Sequence, residues 1–452
     1  MAATKSRMFV TADGRNLLFT FCLVSSLYLL WGFCNGMIDV MDKHFQEQLH
    51  LTLSQSAWVQ FAHYLGYFLM ALPAGALASK LGYKSGIVAG LLMVAAGGLW
   101  FLAATQIAQF WAFLLGVCVI ASGLAFLETV ANPYATVLGD KRYAAVRINL
   151  AQSCNGIGWV LGPIAGSLFF YSVDTQGRST GSETLYIPYV GVAILVLVLA
   201  VIFYFANVPD LETEDEYGSS DSDGTSLRSI WSHPHFAMAV AAQFLYVAAQ
   251  TGIFSFFINY MTSQVPAIPQ NWHTNMESVA ANTGFLQGWL SGWFRADTAG
   301  ALVISNKGAA NLASLAFIFF LVGRVVGAGL LRKMAAHRAL ALYGVINVLM
   351  TLVVFAKLGW LSVVCVFLSY FFMSIMFPTI FALGIHGLGP LTKRAAAFLV
   401  MAIIGGAIVP KLMGHIADET DLSRSFIVPM VCFALVALYG FKWSELSRRR
   451  AA

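Results

Sequence analysis

Residues 109–138 read QFWAFLLGVCVIASGLAFLETVANPYATVL, thirty positions with one charged side chain, Glu128. A helix that crosses about 30 Å of hydrocarbon needs roughly 20 mostly apolar residues, and this stretch exceeds that length. Glu128 is too deep in the run to reach either surface. Working outward, the whole chain has the same character: 59% of its 452 residues are hydrophobic and 10% are charged, against about 25% charged in an ordinary globular domain. Its 40 glycines and 35 phenylalanines suit helices packed in lipid, where small residues let backbones approach closely.

Twelve apolar runs of spanning length follow one another, at about 17–41, 55–79, 85–104, 109–138, 145–172, 187–208, 235–262, 308–332, 338–357, 360–387, 394–415 and 423–443. The first continues far beyond the short core of a secretory signal, so no cleavable leader is expected. Lys and Arg in the connections set orientation. With a cytoplasmic N-terminus, eighteen basic residues fall on the cytoplasmic side and six on the other, leaving Arg324 and Lys411 inside spans. Both termini are therefore expected in the cytoplasm. The acidic, Ser/Gly-rich segment 209–234 cannot bury a core and reads as a flexible linker between halves 1–208 and 235–452. The connection 263–307, on the outer side, carries Trp272, Trp289 and Trp293 and could hold a short amphipathic helix.

The two halves echo each other. Pro133, Lys141-Arg142 and Pro163 in the first recur as Pro378, Lys393-Arg394 and Pro410 in the second, at offsets of 245, 252 and 247. Six-plus-six repeats around a mid-chain cytoplasmic linker are the layout of the major facilitator fold, whose substrate site lies between the halves near the midplane. The expected fold is an all-α membrane protein with twelve transmembrane helices in two six-helix halves.

Ionisable side chains inside a span cost at least ~2.5–3.5 kcal/mol near the centre, which makes each a functional candidate. Asp39 lies toward the outer end of span 1, on one face with Trp31 and Asn35 at four-residue spacing. Glu128 has Asn132 one turn on. Desolvation penalises the charged form of a carboxylate, which makes Glu128 a candidate proton carrier. Span 5 presents Asn149, Gln152, Asn155 and Trp159 along one stripe. Amides donate and accept at once, which suits hydroxyl-rich ligands, and an indole face suits the apolar face of a sugar ring. Interhelical hydrogen-bond glue is the plainer reading of that set. Span 7 offers Gln243, Tyr246, Gln250 and Phe254. The six cysteines and nine histidines show no metal-ligand spacing. The scattered basic residues give no nucleic-acid surface. No nucleophile–base pair or phosphate-cradling loop is visible, so nothing indicates an enzyme or a cofactor.

The stretches Leu-Trp-Gly-Phe-Cys-Asn-Gly-Met-Ile-Asp (30–39), Leu-Glu-Thr-Val-Ala-Asn-Pro-Tyr (127–134) and Arg-Ile-Asn-Leu-Ala-Gln-Ser-Cys-Asn (147–155) resemble the L-fucose:proton symporter family of the major facilitator superfamily. In the second half, residues 242–251, 376–385 and 398–407 resemble it too, so the likeness covers nearly all the chain. The resemblance implies a proton-coupled importer of a monosaccharide or sugar derivative, working by alternating access, with the proton as coupling ion and no other cofactor. It implies a monomer in a bacterial inner membrane. Proton coupling falls on Asp39 and Glu128, and the family's polar pair in span 5 on Gln152 and Asn155. Trp31, Asn35, Asn132, Trp159, Gln243, Gln250 and Phe377 complete the expected sugar site. Fucose-type members carry an asparagine where this chain has Gly36 and a tyrosine where it has Phe377. Ser79 replaces the usual aspartate of the superfamily's signature loop, the outer loop is longer, and Lys411 is unexpected. Losing two hydrogen-bonding groups favours a bulkier or less polar ligand, so a carrier for an N-acetylated or anhydro amino sugar is the alternative. A sensor that binds sugar without moving it is a third reading.

Overall fold

With no water to satisfy backbone amides and carbonyls, a chain inside lipid must pair them within each segment, which is why apolar runs become helices. The computed structural model describes residues 8–10, 14–139, 144–171, 186–206, 230–283, 287–297, 300–331, 333–388 and 392–448. The first half comprises α1 (Leu18–Gln48), the single turn α2 (Leu53–Ser56), α3 (Trp58–Ile107), α4 (Phe110–Val137), α5 (Ala144–Phe169) and α6 (Tyr186–Phe205). The second comprises α7 (Pro234–Ser255), α8 (Phe257–Ser263), α9 (Gln270–Asn282), α10 (Gln287–Leu290), strands β1 (Phe294–Ala296) and β2 (Leu302–Ile304), α11 (Asn306–Leu331), α12 (Ala336–Phe355), α13 (Trp360–Met373), α14 (Met376–Ile385), α15 (Thr392–Met401), a 3₁₀ turn (Ala402–Ile404), α16 (Gly405–Glu419), α17 (Leu422–Ser425) and α18 (Ile427–Leu446).

Among the described residues ten helices are long and apolar enough to cross a membrane. The two other expected spans fall on the first part of α3 and on α5, so the sequence of elements fits twelve crossings. Spans 2 and 3 join at Gly82, whose φ of 80° and ψ of 170° are open to glycine and turn the chain between them. Spans 7, 10 and 11 are each broken, at Phe256, at Ser374–Ile375 and at the 3₁₀ turn. Residues 209–229 of the expected linker lie outside the described residues, as do Lys141 and Arg142; the side chains of Ser79, Asn149, Lys393 and Arg394 do too.

Span 1 runs further than the hydropathy reading put it. α1 continues seven residues past Met41 to Gln48, because Lys43 stays half-buried and binds Gln46 and Glu47 along the helix surface. The connection 263–307 folds into α9, α10 and a two-stranded antiparallel hairpin that pairs Phe294 with Ile304 and Ala296 with Leu302.

α1 packs against α5 and α3 against α4; in the second half α12 packs on α18, and α7 on α16 and α18. The halves meet where α5 faces α11 and where α2 and α3 face α16. Ile194, Leu195, Val198 and Val201 of α6 point outward, as a lipid-facing helix requires. Arg147 is fully buried at the start of α5. Its Nε donates to the Ala135 carbonyl at 3.1 Å and an Nη to the Met8 carbonyl at 2.8 Å, tying the last turn of α4 to the N-terminal segment.

Candidate functional site

Polar side chains gather on the inner faces of α1, α3, α4 and α5. Asp39, 5% exposed, accepts a hydrogen bond from Gln60 Nε2 at 2.9 Å, which brings the first turns of α3 onto the α1 carboxylate. Asn35 and Trp31 lie one and two turns before it. The Trp31 Nε1 and Asn35 Oδ1 atoms are buried and face the buried Tyr67 hydroxyl of α3.

Glu128 is half-buried on α4. It lies within electrostatic reach of Tyr28, Tyr64 and Tyr67, and Asp39 within reach of Tyr64 and Tyr370. The α3 tyrosines therefore stand between the two carboxylates. α1 and α4 run in opposite directions, and each carboxylate lies toward the C-terminal end of its own helix, so the two sit toward opposite ends of the bundle. Beside Glu128, Asn132 Oδ1 accepts from the Tyr28 hydroxyl at 2.7 Å and from Gln152 Nε2 at 3.4 Å. Asn155 Nδ2 donates to the Tyr28 carbonyl at 3.2 Å. One edge of this cluster is thus committed to holding α1, α4 and α5 together. The remaining amide capacity of Gln152, which is half-buried, is open to a ligand.

From the second half, Gln243 is 0% exposed and neither its Nε2 nor its Oε1 has a partner. Tyr246 donates to the Met373 carbonyl at 2.8 Å, and its ring lies 6.4 Å from the ring of Phe377. Gln250 is half-buried, next to Thr251, whose hydroxyl bonds Tyr64 of the first half at 2.9 Å. A cleft between the halves is lined by Tyr64, Tyr67 and Phe68 on one side and by Val400, Met401 and Ile404 on the other.

The structure alters the expectations at several positions. Gly36 faces α5, not the cleft: a Cβ there would meet the Trp159 carbonyl oxygen at 2.8 Å and Pro163 Cδ at 3.1 Å. It therefore adds no room to a ligand site. The Trp159 indole is covered by aromatic rings of the second half, Phe317 at 4.8 Å and Phe254 at 5.8 Å, with Tyr370 stacked on Phe254 at 4.5 Å. Among the described residues Lys411 meets no carboxylate; its Nζ lies 3.6 Å from the centre of the Trp58 ring, across the boundary between halves. Arg324 has its guanidinium 5.0 Å from the Phe320 ring, with Nε lacking a partner, and lies near Tyr246. Sequence reasoning missed Gln60, Tyr64 and Tyr67, which have no charge to flag them, and Asp42, which fell beyond the expected end of span 1.

The site and the two-part bundle define a secondary carrier, and the comparisons agree. The family model for the Major Facilitator Superfamily matches residues 20–383. The chain is 32% identical over 446 residues to the L-fucose-proton symporter of Escherichia coli (strain K12), covering 95% of this chain and 94% of the relative. It is 30% identical over 436 residues to a glucose/galactose transporter of Brucella abortus biovar 1 (strain 9-941), covering 96% of each. The crystal structure of FucP in the outward conformation superposes with a TM-score of 0.66 at 32% identity, over 95% of this chain and 99% of FucP. The chain belongs to the Major Facilitator Superfamily and, within it, to the family of the L-fucose-proton symporter.

Proposed function

We propose that the chain imports a monosaccharide together with protons by alternating access. One observation carries this reading beyond the family: two carboxylates, Asp39 and Glu128, lie toward opposite ends of the bundle with tyrosines within electrostatic reach of them and buried amides nearby. A charge inside the membrane is costly. Protonation of both groups makes the loaded cavity neutral, so that it can reorient, and deprotonation on the far side resets it. Asp39, toward the outer end, takes its proton from the periplasm, and Glu128 releases toward the cytoplasm. Gln152, Asn132, Asn35, Trp31, Gln243 and Gln250 line the sugar path, with Phe377 as an apolar wall. Asn155 and Trp159 support it through the contacts described above.

The relatives are named for L-fucose and for glucose/galactose, and with Gly36 packed against α5 the case for a larger amino sugar loses its main support. The surplus of basic residues in the connections supports a bacterial inner-membrane carrier with both termini in the cytoplasm. The protein works as a monomer, since both halves of the site come from one chain.

Purified protein in proteoliposomes should alkalinise the external medium on addition of one of L-fucose, D-glucose or D-galactose. No proton movement with any of the three would overturn the reading.

A further inference from the structure

Asp42 lies one turn beyond Asp39 on the same face of α1 and is 1% exposed. Among the described residues no donor meets hydrogen-bond geometry with either of its carboxylate oxygens. The groups around it are engaged elsewhere. On α1, Lys43 Nζ bonds Gln46 Oε1 at 3.1 Å and Glu47 at 3.3 Å, Asp39 takes Gln60, and the His44 ring packs on Phe170 and Tyr171. From α2, the neighbouring Ser56 hydroxyl donates to the Leu53 carbonyl at 3.1 Å. From the end of α5, the Tyr171 hydroxyl donates to the Val40 carbonyl at 3.4 Å. Ser56 and Lys43 are the donor and the cation nearest Asp42, and with both engaged elsewhere its buried carboxyl is cheaper to hold as the neutral acid than as the anion.

The turn that covers Asp42 is held by the other half of the molecule. Asp418, at the end of α16, accepts the backbone N–H groups of Leu53 at 2.8 Å and Ser54 at 2.9 Å. Separation of the halves at this end frees α2 and opens Asp42 to water.

We infer that Asp42 is a second proton-binding site at this end of α1, loaded from the outer aqueous phase when α2 is free and sealed when Asp418 captures it. One proton per cycle binds Asp42 and is given up after reorientation, in addition to those carried by Asp39 and Glu128. The inference rests on the proposed proton-coupled transport.

The test is the proton:sugar ratio of the full-length protein in proteoliposomes, with whichever of L-fucose, D-glucose or D-galactose the wild type accumulates. Asp42→Asn should lower the ratio by one. Sugar accumulation should fall about 50-fold at a proton-motive force of about 100 mV, the worth of one elementary charge across it. Asp42→Glu should keep the wild-type ratio. An unchanged ratio in Asp42→Asn overturns the proposal. So does a wild-type sodium dependence that Asp42→Asn abolishes, which would make the site a cation site. A hydrophobic carbodiimide, whose nitrogen takes the proton of a carboxylic acid while the carboxyl oxygen adds to its central carbon, puts the same question to the wild type without a substitution at Asp42. Labelling of Asp42, read by mass spectrometry, should fall as pH rises and should be faster in Asp418→Ala. No labelling at any pH overturns the proposal even if the protein transports no sugar, so this arm separates failure of the site from failure of the proposed function.

Discussion

Within electrostatic reach of Glu128 stand the hydroxyls of Tyr28, Tyr64 and Tyr67, which carry no charge that would neutralise it, and Tyr28 is tied to Asn132 one turn on. Glu128→Gln keeps the shape and removes the proton, so the carrier should still exchange sugar across the membrane but should no longer concentrate it. Retained accumulation against a gradient in counterflow and uptake assays would take Glu128 out of the coupling step. Gln152 and Asn155 should behave differently from each other, although the sequence groups them. Gln152→Ala should weaken sugar binding by about 1–3 kcal/mol, the usual cost of leaving a buried polar partner unpaired. Asn155→Ala removes the bond to the Tyr28 carbonyl and should appear first as a lower melting temperature, with a smaller loss in sugar affinity measured by calorimetry. Asp39 and Glu128 were legible in the sequence because a charge in an apolar run is visible on one helix alone. Gln60, Tyr64 and Tyr67 were not, since their importance depends on which helix faces which. Asp42 escaped because hydropathy ended span 1 at Met41, whereas α1 runs on to Gln48.

Among elements, the contact between α1 and α5 carries the most consequence, because it sets the distance from Asp39 to the polar stripe of α5. It is built from glycines on both sides. A Cβ on Gly32 would overlap the Asn155 carbonyl, one on Gly158 the Leu29 carbonyl, and one on Gly162 would come within 2.8 Å of Gly36 Cα. Such small-residue seams let backbones touch in lipid, where no hydrophobic force drives helices together. Gly36→Val should therefore destabilise the protein by about 1–3 kcal/mol, the range for overpacking, and should lower sugar affinity indirectly by moving α5. A thermal-shift assay in detergent reads the first effect; an unaltered melting temperature would return Gly36 to the cleft. The sequence signalled this seam only as glycine abundance. It signalled the internal repeat more fully: Pro163 and Pro410 both sit inside helices, α5 and α16, that face the opposite half.

For the molecule as a whole, the contacts that join the halves gather at the end formed by α2, α17 and the 263–307 connection. Asp418 holds the N–H groups of Leu53 and Ser54, Ser167 Oγ bonds Asn311 Oδ1 at 2.7 Å, Asn306 bonds Glu47, and Lys411 lies over Trp58. Just beneath them Trp159 of the first half interlocks with Phe254 and Phe317 of the second. In the orientation proposed from Lys and Arg this is the outer end, and on that proposal the chain stands closed to the periplasm, whereas FucP was captured in the outward conformation. A two-state carrier responds to a change in the contacts made in one state only. The bonds from Asp418 are charge-assisted but exposed to solvent, which limits them to about 1–2 kcal/mol together. Removing them in Asp418→Ala should therefore shift the balance toward the outward-open state by about 5–30-fold. Spin labels at Gln55 and Glu419, on either side of the seam, would read the shift as growth of a longer-distance population in the absence of sugar. Lys411→Ala should move the same population by less, since a cation–π contact at a partly exposed site is worth about 0.5–1 kcal/mol. If neither substitution lengthens the distance, the outer seam is held by its aromatic layer alone, and Trp159→Ala becomes the variant that should open it.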